Sequence, residues 1–496
     1  MTLGILVAYL VLLLALGAWS SRRFRGTGED FFVATRTLGS VLLLTSLFGT
    51  NMTAFSLLGA SGEAYRRGIG VFALMASSTA LVTPLVFLTL APRAWALGKR
   101  YGFTTQTQLV RDRWGSEGLG LALLAFQIAL LVPYLLIGLK GGGITLAQIT
   151  AGAIPEWAGS LAVSAVVLAY VVAGGVRGTA WANAAQTVIF TLLGAVTFWI
   201  VVSSFGGLAA AFARVAAVEP ELLVRGDRIR PLELLSYLAI PLSVVGFPHI
   251  FLHWLTARDA AAFRLPVVAY PVCVAAVWLP SVTVGVLSAA EIPGLAGPEA
   301  NTVLIKMIAL HAPGVLAGLL AAGVLAAVMS SLDSQSLALS NIVTHDVVRH
   351  YGLHDRMSDR LEVVLGRAFV AGVLGIAWLL SVVIDSSIFR LGVWAFSGFA
   401  ALAPLFVAAL FWRRATRAGA WASLATAAAL WTAFLVRGWS EPGYTVAGSG
   451  LMPVAVMVAA AAVVLIVVSG LTRPPSAARL ARYFAAPDPG PARPRT

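Results

Sequence analysis

Charged side chains are scarce in this sequence. Asp, Glu, Lys and Arg supply 11% of the 496 residues, where a soluble domain carries about 25%. Hydrophobic residues make up 59%, and mean hydropathy is +0.89. Ordinary water-soluble domains, disorder, coiled coil and collagen are excluded, and no polar stretch is long enough to form a soluble domain of its own. Cysteine is nearly missing: Cys273 stands alone in an apolar run, so no internal disulfide can form and the thiol reads as packing. Lysine is confined to Lys99, Lys140 and Lys306, with arginine supplying the rest of the 34 basic residues. Enzyme signatures are lacking too. There is no HExxH, GxSxG, CxxC or GxxxxGK[ST]. Gly141, Gly142 and Gly143 follow an apolar run, not a strand, so they do not form a phosphate loop. The chain is expected to be neither an enzyme nor an ATP-driven pump, and to need no organic cofactor.

What is present is long apolar runs. A bilayer core of about 30 Å takes about 20 apolar residues per helix. The sequence predicts thirteen spans: 3–19, 39–60, 69–91, 117–139, 157–176, 184–204, 232–252, 267–290, 314–347, 361–384, 388–411, 419–436 and 451–470. The first lacks the basic start and small-residue cleavage site of a signal peptide. The formal charge is +13, but its placement matters more than its sum. With the N-terminus outside, the inner segments around 22–36, 93–113, 177, 258–264, 349–360, 413–417 and 473–495 hold 23 basic residues and the outer segments hold 10. This bias sets the orientation, and the odd count puts the C-terminus in the cytoplasm. A nucleic-acid partner is not expected; the partner is the bilayer of a cell (inner or plasma) membrane. Residues 1–470 read as one transmembrane domain and 471–496 as a short disordered cytoplasmic tail. Gly102–Trp114 reads as a short interfacial helix.

Polar groups inside membrane helices are costly and mark candidate sites. In the second span Gly49, Thr50, Asn51, Met52 and Thr53 interrupt an apolar run. An unwound segment there would free backbone carbonyls for a small cation; close helix packing by small residues is the competing reading. In the seventh span Pro241, Gly246 and Pro248 supply three breaks, followed by His249 and His253, which read as polar ends at a membrane edge. Two interrupted spans, five apart, are the pattern of inverted-repeat transporters. The ninth span carries Gly314, Gly318 and Gly323 as a close-packing face, then Ser330, Ser331, Asp333, Ser334 and Ser336 together. Five polar side chains including a carboxylate point to an ion or substrate role.

These stretches resemble one family. FFVATRTLGSVLLLTSLFGTNMTAFSLLG, YVVAGGVRGTAWANAAQTVIF, GFPHIFLHWLTARD, LAAVMSSLDSQSLALSNIVTHDVV and FSGFAALAPLFVAALFWRRATRAGAW are similar, in this order, to motifs of the sodium:solute symporters. The resemblance runs over nearly the whole chain. It implies an all-α polytopic protein with a leucine-transporter-type core of two inverted five-helix repeats, here about 39–411. Its second motif implies a Gly-Gly loop before a Trp-x-Asn-x-x-Gln helix. It also implies secondary active transport: symport of a small organic solute with Na+ by alternating access.

Carried over position by position, the resemblance implies sodium ligands at Gly49, Met52, Ala327, Ser330 and Ser331. Some members hold a second sodium with an aspartate where this chain has Asn183. Here Asp333 stands where a serine is usual, which suggests a second cation or a gate at Asp333, Ser334 and Asn183. The implied solute positions are Asn51, Phe55 and Ser56, Ser77 and Ser78, Val244, Phe247 and His249, and Trp394 and Ser397. Such a site is small and rather apolar, fitting a monocarboxylate, an amino acid or a pantothenate-like solute. A transporter-like sensor working with a separate signalling partner and a proton-coupled symporter are the alternatives. The oligomeric state stays open, with a monomer compatible.

Overall fold

The computed structural model describes residues 2–21, 37–351, 359–441 and 443–484. The inner-side arginines at 22–36, 356 and 493–495, and the tail from 485, lie outside the described residues. The described residues are helical nearly throughout. In chain order the helices are α1 (Thr2–Ser21), α2 (Ser40–Asn51), α3 (Ala60–Arg67), α4 (Ser78–Tyr101), α5 (Gln106–Trp114), α6 (Glu117–Ile149), α7 (Glu156–Ser204), α8 (Leu208–Val218), α9 (Pro231–Tyr237), α10 (Ser243–Gly246) and α11 (Pro248–Leu255). They continue as α12 (Arg264–Ser288), α13 (Val303–His311), α14 (Gly314–Ile342), α15 (Asp359–Val383), α16 (Ile388–Ala401), α17 (Ala403–Phe411), α18 (Arg417–Gly438), α19 (Pro453–Leu471) and α20 (Ala477–Phe484).

Among the described residues, eight helices are long and apolar enough to cross a membrane, and two bent pairs bring the number to ten. The predicted spans 3–19, 157–176 and 361–384 fall on shorter apolar helices described in part. The expected Gly-Gly loop is not a loop. The backbone stays helical through Gly174 and Gly175, and α7 runs for 49 residues, a length that holds both spans predicted there. The expected disordered tail is corrected at its start. Residues 477–484 form α20, with Tyr483 Oη donating to Asp112 at 2.6 Å and the guanidiniums of Arg93, Arg113 and Arg413 around the Phe484 ring. Aromatic anchors and cation–π contacts hold this end, where composition alone offers too few apolar residues to dock. The expected interfacial helix is α5, started by Thr105 Oγ1 accepting from Gln108 N–H and stopped by Gly115 at φ 56°.

Both predicted breaks are present. The first pair, 40–51 and 55–67, bends by 60°, with Met52 extended at φ −86° and ψ 114°. Hydroxyls take up the freed backbone groups. Ser56 Oγ accepts from Thr53 N–H at 3.0 Å, Thr53 Oγ1 accepts from Phe55 N–H at 2.9 Å, and Ser281 Oγ on α12 donates to Leu57 O at 3.0 Å. The second pair, 231–246 and 248–255, bends by 56°. Pro248 keeps Phe247 extended and brings no N–H. The carbonyls left over are met by amides: Gln106 donates to Val245 O at 2.7 Å and Gln127 to Gly246 O at 3.2 Å. Satisfying freed backbone groups from neighbouring helices is what makes a broken span tolerable in lipid. A short bridge at Leu38 and Ala257 ties the start of the first pair to the end of the second.

Candidate functional site

The first group forms where α14 crosses the first break. Ser330 Oγ donates to Gly49 O at 2.7 Å and to Ala327 O at 2.9 Å, and Ser330 and Ala327 are wholly buried. Three neutral oxygens thus converge from two helices that are 281 residues apart in sequence. Glycine at 49 allows this close approach, because a Cβ there would displace Thr187 Oγ1 and stand 3.0 Å from the Asn183 carbonyl. Met52 is buried at the break itself. Ser331 Oγ donates within its own helix, to Val328 O at 3.0 Å. Among the described hydrogen bonds, none joins Met52 or Ser331 to the Gly49–Ala327–Ser330 group.

One turn further along α14, Asp333 is fully buried. The Asn183 amide, its nitrogen turned toward α14, donates to Ser330 O at 3.0 Å and to both Asp333 oxygens at 3.2 Å, and accepts from Ser334 Oγ at 2.8 Å. Ser334 Oγ lies 3.1 Å from Asp333 Oδ1 and 3.3 Å from His253 Nε2. The carboxylate predicted at 333 and the amide at 183 therefore meet across α7 and α14, with a histidine from α11 beside them. His249 and His253 are 0% and 2% exposed, so the expectation of polar ends at a membrane edge is corrected. The bend at Phe247 folds both into the interior.

The expected solute positions divide. Phe55, Phe247 and His249 enter one aromatic cluster: the Phe396 ring is 4.9 Å from Phe55 and 5.5 Å from Phe247, and His249 stacks on Phe247 at 5.0 Å. Both His249 nitrogens are buried without a hydrogen-bond partner, a condition that costs about 1–3 kcal/mol per group unless something polar is bound. Trp394 and Ser397 line a cavity of about 1080 Å³, with Phe389 in its wall, and Phe389 stacks on Phe55 at 5.7 Å. The cluster thus sits directly behind that cavity. Ser56, Ser78 and Asn51 serve the backbone or a neighbour. Ser56 caps the first break, Ser78 Oγ donates to Leu74 O at 2.6 Å, and Asn51 donates to Tyr270 Oη. Ser77 is half-buried, and Val244 is buried on α10 before the second break.

Gln106, Gln127 and Tyr134 escape the sequence reading. Tyr134 packs on Phe247, His249 and Phe396. Gln127 had a signal: it is a lone amide in an apolar run, and such a group needs a buried partner.

The arrangement has counterparts. A model described as the sodium:solute symporter family matches residues 31–426. The chain is 29% identical to the sodium/pantothenate symporter of Escherichia coli (strain K12) over 434 residues, 84% of this chain and 86% of that one. It is 27% identical to the osmoregulated proline transporter OpuE of Bacillus subtilis (strain 168), covering 85% and 86%. Among solved structures, a Na+-coupled sialic acid symporter in a substrate-bound outward-open state superposes with a TM-score of 0.78 at 15% identity, covering 95% of this chain and 98% of that one. Mhp1, a nucleobase-cation-symport-1 family transporter, superposes at 0.62 and 13% identity, covering 92% and 99%. These likenesses show the fold, and the match over most of the chain shows its kin: this multi-pass membrane protein belongs to the sodium:solute symporter family, which couples the entry of small solutes to sodium and carries out no enzymatic reaction.

Proposed function

We propose that this symporter carries a small solute bearing a carboxylate, of the monocarboxylate, amino acid or pantothenate class, into the cell across the inner or plasma membrane. The N-terminus is outside and the C-terminus cytoplasmic. Gly49, Met52, Ala327, Ser330 and Ser331 hold the coupling sodium. The observation that carries this reading is the Ser330 hydroxyl set between Gly49 O and Ala327 O, across a helix break. Carbonyl and hydroxyl oxygens suit a hard cation. A sodium ion held there requires the hydroxyl to release Gly49 O and present its lone pair. Ion binding thereby changes the tie between α14 and the broken span, the movement that alternating access needs. The relatives named for pantothenate and proline support the solute class, as do the unpartnered His249 nitrogens behind the cavity.

Asp333, Ser334 and Asn183 hold a second cation or act as a gate, with His253 beside Ser334. The test is uptake of labelled pantothenate and L-proline into proteoliposomes under an inward sodium gradient. Uptake of at least one should collapse when choline replaces sodium. Uptake indifferent to sodium would overturn the reading.

A further inference from the structure

Arg390, Trp394 and Ser397 stand at i, i+4 and i+7 of α16, and all three line the cavity of about 1080 Å³. That spacing puts them on one helix face, with about 10 Å of helix axis between the first and the last. The cavity holds six arginines and four acidic side chains. Several of the arginines are engaged. Arg66 and Arg67 pair with Glu63, Arg67 also with Glu233, and Arg228 with Glu219 and Glu221. Arg390 differs. The Arg390 guanidinium lies 5.0 Å from the Trp439 ring centroid, its Nε is buried without a hydrogen-bond partner, and Asp385 is the carboxylate that acts on it, without a described ion pair. At the other end of the row, Ser397 is 1% exposed and its Oγ also lacks a partner. Trp394 between them is held in place: its carbonyl accepts from Trp431 Nε1 at 2.9 Å, and its ring lies against Gly438, where a Cβ would come 2.5 Å from Cζ2.

A guanidinium with spare donors, an indole and a buried hydroxyl therefore run in a row from a charged wall to the aromatic cluster behind it. Guanidinium binds carboxylate through paired charge-assisted bonds. Indole offers an apolar surface, and the orphaned hydroxyl seeks one polar partner. We propose that Arg390, Trp394 and Ser397 form a staging subsite that receives an elongated monocarboxylate with a distal hydroxyl or amide group before it reaches the broken helices. The subsite rests on the symport reading and narrows its solute class: a compact amino acid cannot reach both ends of the row.

The test uses the full chain in lipid nanodiscs with sodium present, and saturation-transfer NMR titrations of 6-hydroxyhexanoate, 6-hydroxyhexanamide and hexanoate. Hydroxyhexanoate should bind at least ten-fold more tightly than its amide. Arg390→Gln should remove that preference and Arg390→Lys should retain part of it. Ser397→Ala should weaken hydroxyhexanoate several-fold and leave hexanoate unchanged. Arg66→Gln, on the same cavity wall but paired with Glu63, should stay within two-fold of the parent. The proposal is overturned if the parent chain binds acid and amide alike or binds neither. It is also overturned if Arg390→Gln matches the parent, or if Arg66→Gln loses as much as Arg390→Gln, since attraction is then diffuse. Sodium-driven uptake and sodium-induced thermal stabilisation are measured alongside. If they persist while the Arg390 outcome fails, only the subsite falls; if they are absent from the parent chain, the symport reading falls.

Discussion

Ser330→Ala removes an oxygen with no exposure to solvent and two carbonyl partners, at 2.7 and 2.9 Å. In the sodium-free protein it leaves Gly49 O, on the broken span, without its donor, at a cost of about 1–3 kcal/mol. In the sodium-loaded protein it removes one of the proposed ligand oxygens from a charged ion, a larger loss, and only its excess over the sodium-free cost weakens sodium binding. Each 1.4 kcal/mol is ten-fold in affinity. The sodium concentration for half-maximal uptake should therefore rise several-fold, with maximal uptake at saturating sodium less affected. Ser331→Ala should raise it further, about ten-fold or more, and with a different signature. Ser331 ties only to its own helix, at Val328 O, so its loss should leave sodium-free thermal stability unchanged, whereas Ser330→Ala should lower it. The assay is initial-rate uptake against sodium in proteoliposomes, paired with melting curves with and without sodium. A Ser330→Ala protein with unchanged sodium dependence would remove Ser330 from the ion path and with it the proposed link between the first break and α14.

Asp333→Asn keeps an oxygen and an amide facing Asn183 and Ser334, so the fold should survive. The Hill coefficient for sodium should fall toward one with transport still detectable. A normally expressed variant with unchanged Hill coefficient and unchanged pH profile takes Asp333 out of coupling. Gly246→Ala drives a Cβ into the Phe399 carbonyl, overpacking that costs about 1–3 kcal/mol. Because α16 and the second break then cannot close on each other, transport per folded molecule should drop by ten-fold or more. Transport at the parent level would show that contact to be slack. Gln127→Leu leaves Gly246 O without the donor Gln127 supplies at 3.2 Å. It should lower the melting temperature measurably through an unsatisfied buried carbonyl worth about 1–3 kcal/mol, and an unchanged melting temperature would mean that Gln127 is dispensable to the break.

Apolar run length and breaker residues are local properties, and they were sufficient for the helical class and the two broken spans. Gly49–Thr53 and Pro248 could be read because glycine, hydroxyls and proline weaken a helix wherever it packs. Ser330 stood out because polar side chains are costly in lipid. Which groups answer those weaknesses is a long-range matter. Nothing near Gly49 in sequence names Ser330, 281 residues away, and nothing near Pro248 names Gln106 or Gln127. The meeting of Asn183 with Asp333, and the arrival of His253 beside Ser334, follow from how α7, α11 and α14 cross. Two expectations, one from the family resemblance and one from composition, are corrected by the fold. The resemblance implies a loop at Gly174 and Gly175, which stay helical within α7. The arginine-rich stretch after 470 read as disorder, yet 477–484 is a docked helix, because Tyr483 and Phe484 find Asp112 and three guanidiniums supplied by distant parts of the chain. A hydropathy profile sums single residues; a buried hydrogen bond or a cation–π contact exists only once the fold has brought its two halves together.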